Sequence, residues 1–344
     1  MAAKGVGPPN TRNQSRGDYK MELDLDCVVD NLYVGGIQAT RNPKLLYELG
    51  VTHVVTVSDS PANNIAESGL FKYKFVQGMD IEITDLLAHF FDVNAFIDEG
   101  VKSGATLVHC IAGVSRSVTM VIAYLMEKKG MKFEDALTLV QQKRKYAYPN
   151  EGFVKQLKLY EAMKCKLDPT NEEYRSHRLA SLAFTMQEGN QSKDVFLPGD
   201  LAENPTANKV DIIFKCKKCR QPLFKKSSFI IHTEGPGGMA FDWRGSASQD
   251  SAGDTTPRKI CEKSIFIKPV EWMKESIVSS QGKLTCPKCN SKLGSFVWHG
   301  ERCSCGEWIV PAFHIQTSKV DECKPIVNIN KPPKDVQSEN IPNT

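Results

Sequence analysis

The sequence predicts an α/β fold, a twisted sheet with helices on both faces, followed by a small β-rich, cysteine-rich domain. Three observations carry this expectation. Through the first half, apolar strand-like runs alternate with helix-like runs, the pattern of a sheet covered by its connecting helices. After Lys164 the texture changes, and cysteine pairs dominate the remainder, beginning with Cys216-x-x-Cys219. A length of 344 residues is long for one core and fits two domains.

The elements follow in order. Residues 1–20 are polar with no apolar core for a leader peptide and are expected to form a disordered arm. Residues 43–50 read as helical and Thr52–Val57 as a buried strand. Asp80 stands in the loop ahead of a helical run marked by Leu86, Phe90, Val93, Phe96 and Ile97, with Asp85 placed as the N-cap of that run. Ala105–Val108 is a strand, residues 118–126 a helix, and Phe133–Leu137 the start of another. Residues 171–186 read as one helix, and 187–209, polar and broken by Gly and Pro, as a linker. Exposed or disordered stretches are expected at 235–259 and in a tail from 321.

Between that strand and the helix lies Val108-His109-Cys110-Ile111-Ala112-Gly113-Val114-Ser115-Arg116-Ser117. A loop of this length can turn six backbone N–H groups inward, those of Ile111, Ala112, Gly113, Val114, Ser115 and Arg116. With the open N–H groups of the following helix they make an anion cradle for a phosphate. Gly113 permits the backbone angles the loop needs. Arg116 offers a planar, two-pronged donor to phosphate oxygens. Such surroundings hold a thiol at roughly pKa 3.5–7.5 against about 8.5 when free, so Cys110 is expected to be a thiolate nucleophile. Ser117 can hydrogen-bond the sulfur and help it leave. His109 points into the fold, where it either orients the loop or is simply buried.

This segment resembles the signature loop of the cysteine-dependent protein tyrosine phosphatases, and its Ser-Arg-Ser ending is most similar to the dual-specificity group. The resemblance covers residues 22–165 and implies the cysteine-dependent phosphatase fold. Within it, residues 30–36 resemble the family's opening edge strand, and residues 148–153 with Gln156 and Leu157 its closing helix. It also implies a proton donor on a mobile upstream loop. Asp80 is the expected general acid, then general base for water, with Asp85 as the second candidate. No Lys-Asn-Arg-Tyr-type loop builds the deep slot of strict phosphotyrosine enzymes. Phosphoserine, phosphothreonine and phosphotyrosine in phosphoproteins are therefore the expected substrates. Ile111, Ala112 and Val114 supply no lysine, which makes inositol lipids the weaker reading.

The net charge of +4 is too small to argue for DNA binding, and no apolar run reaches transmembrane length. Eleven cysteines without an export signal read as metal ligands and a nucleophile rather than disulfides. Eight ligands follow residue 210: Cys216, Cys219, His232, Cys261, Cys286, Cys289, Cys303 and Cys305. Each Cys-x-x-Cys lets two thiolates face one tetrahedral ion, so two structural zinc ions are expected over residues 210–320. Sequence alone does not fix the pairing; the resemblance of the two knuckles to zinc ribbons of the methionine sulfoxide reductase B type implies both Cys-x-x-Cys pairs on one ion and His232, Cys261, Cys303 and Cys305 on the other. The sequential alternative takes Cys216, Cys219, His232 and Cys261 first. Cys27, Cys165, Cys323, His299 and His314 stay outside, with His299 in reserve.

The paired knuckles resemble the β-rich fold of the methionine sulfoxide reductase B type. Residues 266–273 (Phe-Ile-Lys-Pro-Val-Glu-Trp-Met), Cys286-Pro287-Lys288-Cys289 and Cys303-Ser304-Cys305-Gly306-Glu307-Trp308-Ile309 further resemble the dual-specificity phosphatases that carry a C-terminal zinc domain. That resemblance implies a nuclear and cytoplasmic protein whose zinc domain binds a pre-ribosomal particle during large-subunit maturation. Lysines beside the first knuckle, Lys215, Lys217, Lys218, Lys225 and Lys226, suit such a partner or are an ordinary solvated face.

Overall fold

The computed structural model describes residues 24–189, 196–205, 211–235 and 259–324. The expected arm at 1–20, most of the 235–259 stretch and the tail beyond 324 lie outside the described residues. The chain divides into two units, one running to Glu82 and resuming over Leu86–Glu161, the other made of Ile83–Asp85 and the chain from Ala162 onward.

In the first unit, β1 (Leu25–Val29) and β2 (Leu32–Gly35) pair antiparallel. Helix α1 (Pro43–Glu48) opens on a proline, which loses nothing where the N–H would be unpaired, and Asn42 caps it by accepting from Leu45 N at 3.2 Å. Then follow β3 (Val51–Ser58), α2 (Asn63–Ala66), β4 (Lys72–Gln77), α3 (Phe90–Ser103), β5 (Ala105–His109), α4 (Arg116–Lys129), α5 (Phe133–Lys143) and α6 (Glu151–Ala162). The strands order as β1-β2-β5-β3-β4, with β2, β5, β3 and β4 mutually parallel. Side chains alternate across this sheet. Val54 and Leu107 cluster with Leu46 of α1 and Ile65 of α2 on one face. Val55 and Val108, of opposite parity, are equally buried, and α3 and α4 pack against β3 and β5. Every residue from Arg116 to Met126 of α4 is buried, so this helix runs through the interior and ends on Gly130 in the left-handed region.

Two expectations are corrected here. The strand expected at the sheet edge, β2, lies second; the edge is β1, whose start, with Asp24 and Asp26 alternating with Leu25 and Cys27, hid it beside the polar arm. Leu86, not Asp85, stands at the N-cap position of the short turn that leads to α3. Leu86 N and Leu87 N donate instead to Oε1 of Gln156, reaching over from α6, each at 2.9 Å.

In the second unit, α7 (Glu172–Gln187) is capped by Asn171, which accepts from Tyr174 N at 2.9 Å. Leu182, Ala183 and Met186 of α7 enter the core of this unit. In the expected linker, Phe196 is buried with its ring 6.3 Å from Trp298. Strands β6 (Ile213–Cys216) and β7 (Pro222–Lys225) are joined by β14 (Val320–Cys323), while β8 (Ile265–Phe266), β9 (Gln281–Thr285), β10 (Lys292–Val297) and β13 (Ala312–Ile315) make a second sheet in the order β8-β13-β10-β9. A hairpin of β11 (Glu301–Arg302) and β12 (Trp308–Ile309) stands apart. β14 (Val320–Cys323) pairs antiparallel with β6, which carries the fold past the boundary expected at 320. The core gathers around Trp298, whose ring meets Phe313 edge-on at 5.1 Å and whose indole N–H donates to Ile277 O at 2.8 Å. Asp85 belongs to this unit, where Arg178 of α7 lies between it and Asp200 and His177 adds a contact at 3.3 Å. These partners hold the Asp85 carboxyl well below the usual range despite burial.

Candidate functional site

Strand β5 delivers Cys110 to the C-terminal end of the parallel strands, between the ends of β2 and β3, where open α/β sheets bind ligands. The loop that follows is fixed from outside. Ile111 O accepts from Ile37 N at 2.9 Å, Val114 O from Tyr148 N at 2.8 Å and Ser115 O from Thr119 N at 2.9 Å. The two carbonyls between them both go to Arg144, the residue closing α5: Gly113 O to its Nε at 2.7 Å and Ala112 O to its Nη2 at 3.2 Å. In a planar trans peptide the N–H points opposite the carbonyl. Anchoring five successive carbonyls outward therefore turns the N–H groups of residues 112–116 toward the cradle. Gly113 adopts φ +67°, and a β-carbon there would lie 2.5 Å from both Arg144 Nη2 and the Gly35 carbonyl carbon.

Sulfur Sγ of Cys110 accepts from Gly113 N at 3.2 Å and from Ser117 Oγ at 3.3 Å, so the expected Ser117 contact is present. Arg116, at the first position of α4, donates Nη1 to Gly78 O at 3.1 Å. Its Nε is buried without a hydrogen bond among the described residues and faces Asp80 Oδ2 at 3.4 Å. Asp80, on the loop after β4, is thereby brought to the mouth of the cradle. Its Oδ1 accepts from Ser115 Oγ at 2.8 Å and from Asn150 Nδ2 at 2.9 Å. The Ser115 side chain thus contacts Asp80, while its backbone belongs to the cradle. His109 is fully buried, with Nε2 2.7 Å from Thr56 Oγ1 and Nδ1 3.4 Å from Cys110 O. Burial pushes its imidazole down to about 4, so it is neutral at pH 7. The structure therefore gathers Cys110, Ile111, Ala112, Gly113, Val114, Ser115, Arg116, Ser117 and Asp80 and leaves Asp85 out.

Sequence reasoning missed Arg144 and the contacts of Asn150. The Arg144 side chain is 1% exposed, with Nη1 2.7 Å from Asp26 and Nη2 2.8 Å from Asp24. Tyr146 lies over its guanidinium at 4.5 Å. The segment Lys143-Arg144-Lys145 reads as a solvated basic run. Only the acid–apolar alternation Asp24-Leu25-Asp26, a strand edge needing a cation, hinted otherwise.

The second unit brings all eight expected ligands into two groups. Cys216, Cys219, Cys286 and Cys289 form one; His232, Cys261, Cys303 and Cys305 form the other. Ligand atoms within each group lie within 4.8 Å of one another. This is the cross-paired arrangement, and the sequential alternative falls. Both Cys-x-x-Cys turns close hairpins in the same way. Cys216 N bonds Gln221 O at 2.8 Å and Cys286 N bonds Ser291 O at 2.9 Å, with Arg220 and Asn290 at φ +62° and +56°. A tetrahedral zinc with bonds of about 2.3 Å spaces its thiolates by about 3.8 Å. The sulfurs of Cys216 and Cys289 are 3.8 Å apart, those of Cys219 and Cys286 3.5 Å, and those of Cys261 and Cys303 3.7 Å. Both ring nitrogens of His232 are buried without a hydrogen-bond partner among the described residues. These donor sets fit a metal ion.

Comparison with known proteins agrees with this geometry. The model of the dual specificity phosphatase catalytic domain matches residues 32–163. Mouse dual specificity protein phosphatase 12 is 42% identical over 85% of this chain and 87% of its own. The human protein of that name is 40% identical over 86% of this chain and 88% of its own. Tyrosine-protein phosphatase YVH1 of Saccharomyces cerevisiae is 30% identical over 88% and 92%. A signature loop, its fold and a cysteine-rich second unit thus run together along one alignable length, and the chain belongs to the dual-specificity protein phosphatases, of the dual specificity protein phosphatase 12 type.

Proposed function

We propose that the protein hydrolyses phosphotyrosine and phosphoserine or phosphothreonine in proteins through a cysteinyl-phosphate on Cys110. The observation that carries this is the pair of donors on Cys110 Sγ, Gly113 N and Ser117 Oγ, at the floor of a loop whose Arg116 faces Asp80. In the first step an Sγ–P bond forms as the P–O bond to the substrate breaks, and the departing oxygen takes the proton of Asp80. In the second, water attacks phosphorus, Asp80 takes a proton from it, and the Sγ–P bond breaks. Arg116 and the loop N–H groups hold the equatorial oxygens as charge develops. Cys110→Ser is expected to abolish turnover of an aryl phosphate while keeping micromolar binding of a phosphopeptide. Residual turnover within about 100-fold of the parent overturns the nucleophile assignment.

In the second unit, Cys216, Cys219, Cys286 and Cys289 would hold one zinc ion, and His232, Cys261, Cys303 and Cys305 a second. Zinc supplies structural cross-links there rather than reaction chemistry.

A second reading gives this unit a separate role as an assembly factor on a pre-ribosomal particle. Exposed Lys217, Lys218, Lys226, Lys288 and Lys292 around the two hairpin turns favour a polyanionic partner of that kind. Charge reversal at Lys217, Lys218 and Lys288 together is expected to abolish co-sedimentation with large-subunit precursors. Unchanged co-sedimentation sinks this reading.

A further inference from the structure

Asn150 has two duties that its place in the sequence does not separate. Its Oδ1 accepts from Phe153 N at 3.0 Å, which caps α6. Its Nδ2 donates to Asp80 Oδ1 at 2.9 Å. Between them sits Ser115, whose Oγ accepts from Asn150 N at 3.1 Å and spends its single hydrogen on the same Asp80 oxygen at 2.8 Å. Oδ1 is therefore surrounded by two hydrogens. A proton on that oxygen would meet them head-on. Oδ2 has neither donor and is the oxygen turned toward Arg116, at 3.4 Å from Nε.

We infer that Asn150 is a positioning residue for the acid step: with Ser115 it fixes the Asp80 carboxyl so that Oδ2 alone carries the proton and presents it to the leaving oxygen. This rests on the reading of Asp80 as the general acid. When the P–O bond breaks, the Oδ2–H electron pair stays on Oδ2, and the proton passes to the leaving oxygen. The resulting carboxylate is then stabilised by the two donors on Oδ1. In the second step Oδ2 accepts the proton of the attacking water, which restores the starting form.

The consequence depends on the leaving group. A good leaving group departs as an anion and needs little protonation; a poor one needs the proton in the transition state. The test measures kcat for the full-length protein on aryl phosphates from 4-nitrophenyl to phenyl phosphate. Asn150→Ser keeps a capping oxygen for α6 but removes the amide donor. It is expected to leave 4-nitrophenyl phosphate turnover within about threefold of the parent and slow phenyl phosphate by about tenfold or more, with KM unchanged. A misfolded fraction lowers every substrate equally and cannot alter this slope. Asp80→Asn serves as the reference. If Asp80→Asn steepens the dependence and Asn150→Ser does not, the positioning role falls and the acid assignment stands. If Asp80→Asn leaves the slope unchanged, the acid assignment falls and takes this inference with it.

Discussion

His109 shows how one buried side chain ties the cradle to pH. Its Nδ1 lies near the carbonyl of Cys110 and its Nε2 meets Thr56, so both ring nitrogens are used and no solvent reaches them. Burial lowers its pKa from 6.5 to about 4. Below pH 6.5 the unfolded chain binds a proton that the folded chain refuses, so stability falls as pH falls through this window. The whole window is worth about 3 kcal/mol. Urea unfolding at pH 7 and pH 5 is expected to differ by about 2 kcal/mol on this account. His109→Gln, which keeps a partner for Thr56, should flatten the difference. His53, also lowered by burial, acts with the same sign, so some slope remains in the variant. If the variant keeps the full slope, His109 is not its source. That His109 points inward was legible in the sequence, because the residue before a nucleophile at a strand end must leave the cradle side. Its partner Thr56 was not, since the pairing of β3 with β5 is a long-range fact.

At the scale of elements, the cradle is held by pieces far apart in the chain. Arg144, at the end of α5, joins Asp24 and Asp26 at the edge strand to the carbonyls of Ala112 and Gly113. Arg144→Met keeps most of the volume but leaves both carboxylates and both carbonyls without their donor. Breaking a buried pair costs about 3–5 kcal/mol, and the aspartates are 30% and 37% exposed, so about 2 kcal/mol is expected here. Binding of vanadate, an oxyanion for the same cradle, should weaken by about tenfold or more as the loop N–H groups lose alignment. Arg144→Lys, with a single donor head, should recover part of the stability but not the binding. Unchanged vanadate affinity in the folded Met variant would falsify the clamp. What the sequence showed of these elements follows from range. The Cys110–Ser117 loop, α4 and the Asn171-capped α7 declare themselves through local pattern. The edge strand β1 was masked by its acidic residues, and Asp85 was assigned as a cap because local rules do not contain Gln156, which supplies that cap from 70 residues away.

The whole molecule pairs two units whose stability has different sources. The first closes its core around a mixed, mostly parallel sheet, and among its described residues no group of metal ligands occurs. The second divides its strands among small sheets and a two-stranded hairpin, with one ligand group in two hairpin turns and Cys303 and Cys305 of the other in the turn between β11 and β12. Small sheets of this kind need cross-links to stay folded. The ligands were legible one by one from their spacing. Their cross-pairing was preferred on the resemblance of the paired knuckles, but spacing alone left the sequential alternative open, and the fold decides it by bringing Cys219 and Cys286 together across 67 residues. The distribution of tryptophan makes the difference measurable. The chain has four tryptophans, at positions 243, 272, 298 and 308, all within the sequence span that follows Ala162, so indole fluorescence reports the second unit, while turnover of an aryl phosphate reports the first. Titration with a strong chelator is expected to release two zinc ions per chain. As they leave, Trp298 should lose its buried setting and its emission should shift to the red, because metal binding and folding are coupled in such sites. Aryl phosphate turnover should persist through the first part of that shift. Release of fewer than two ions contradicts the two-site assignment. Complete release with unchanged emission shows instead that the aromatic core, not metal, holds the second unit together.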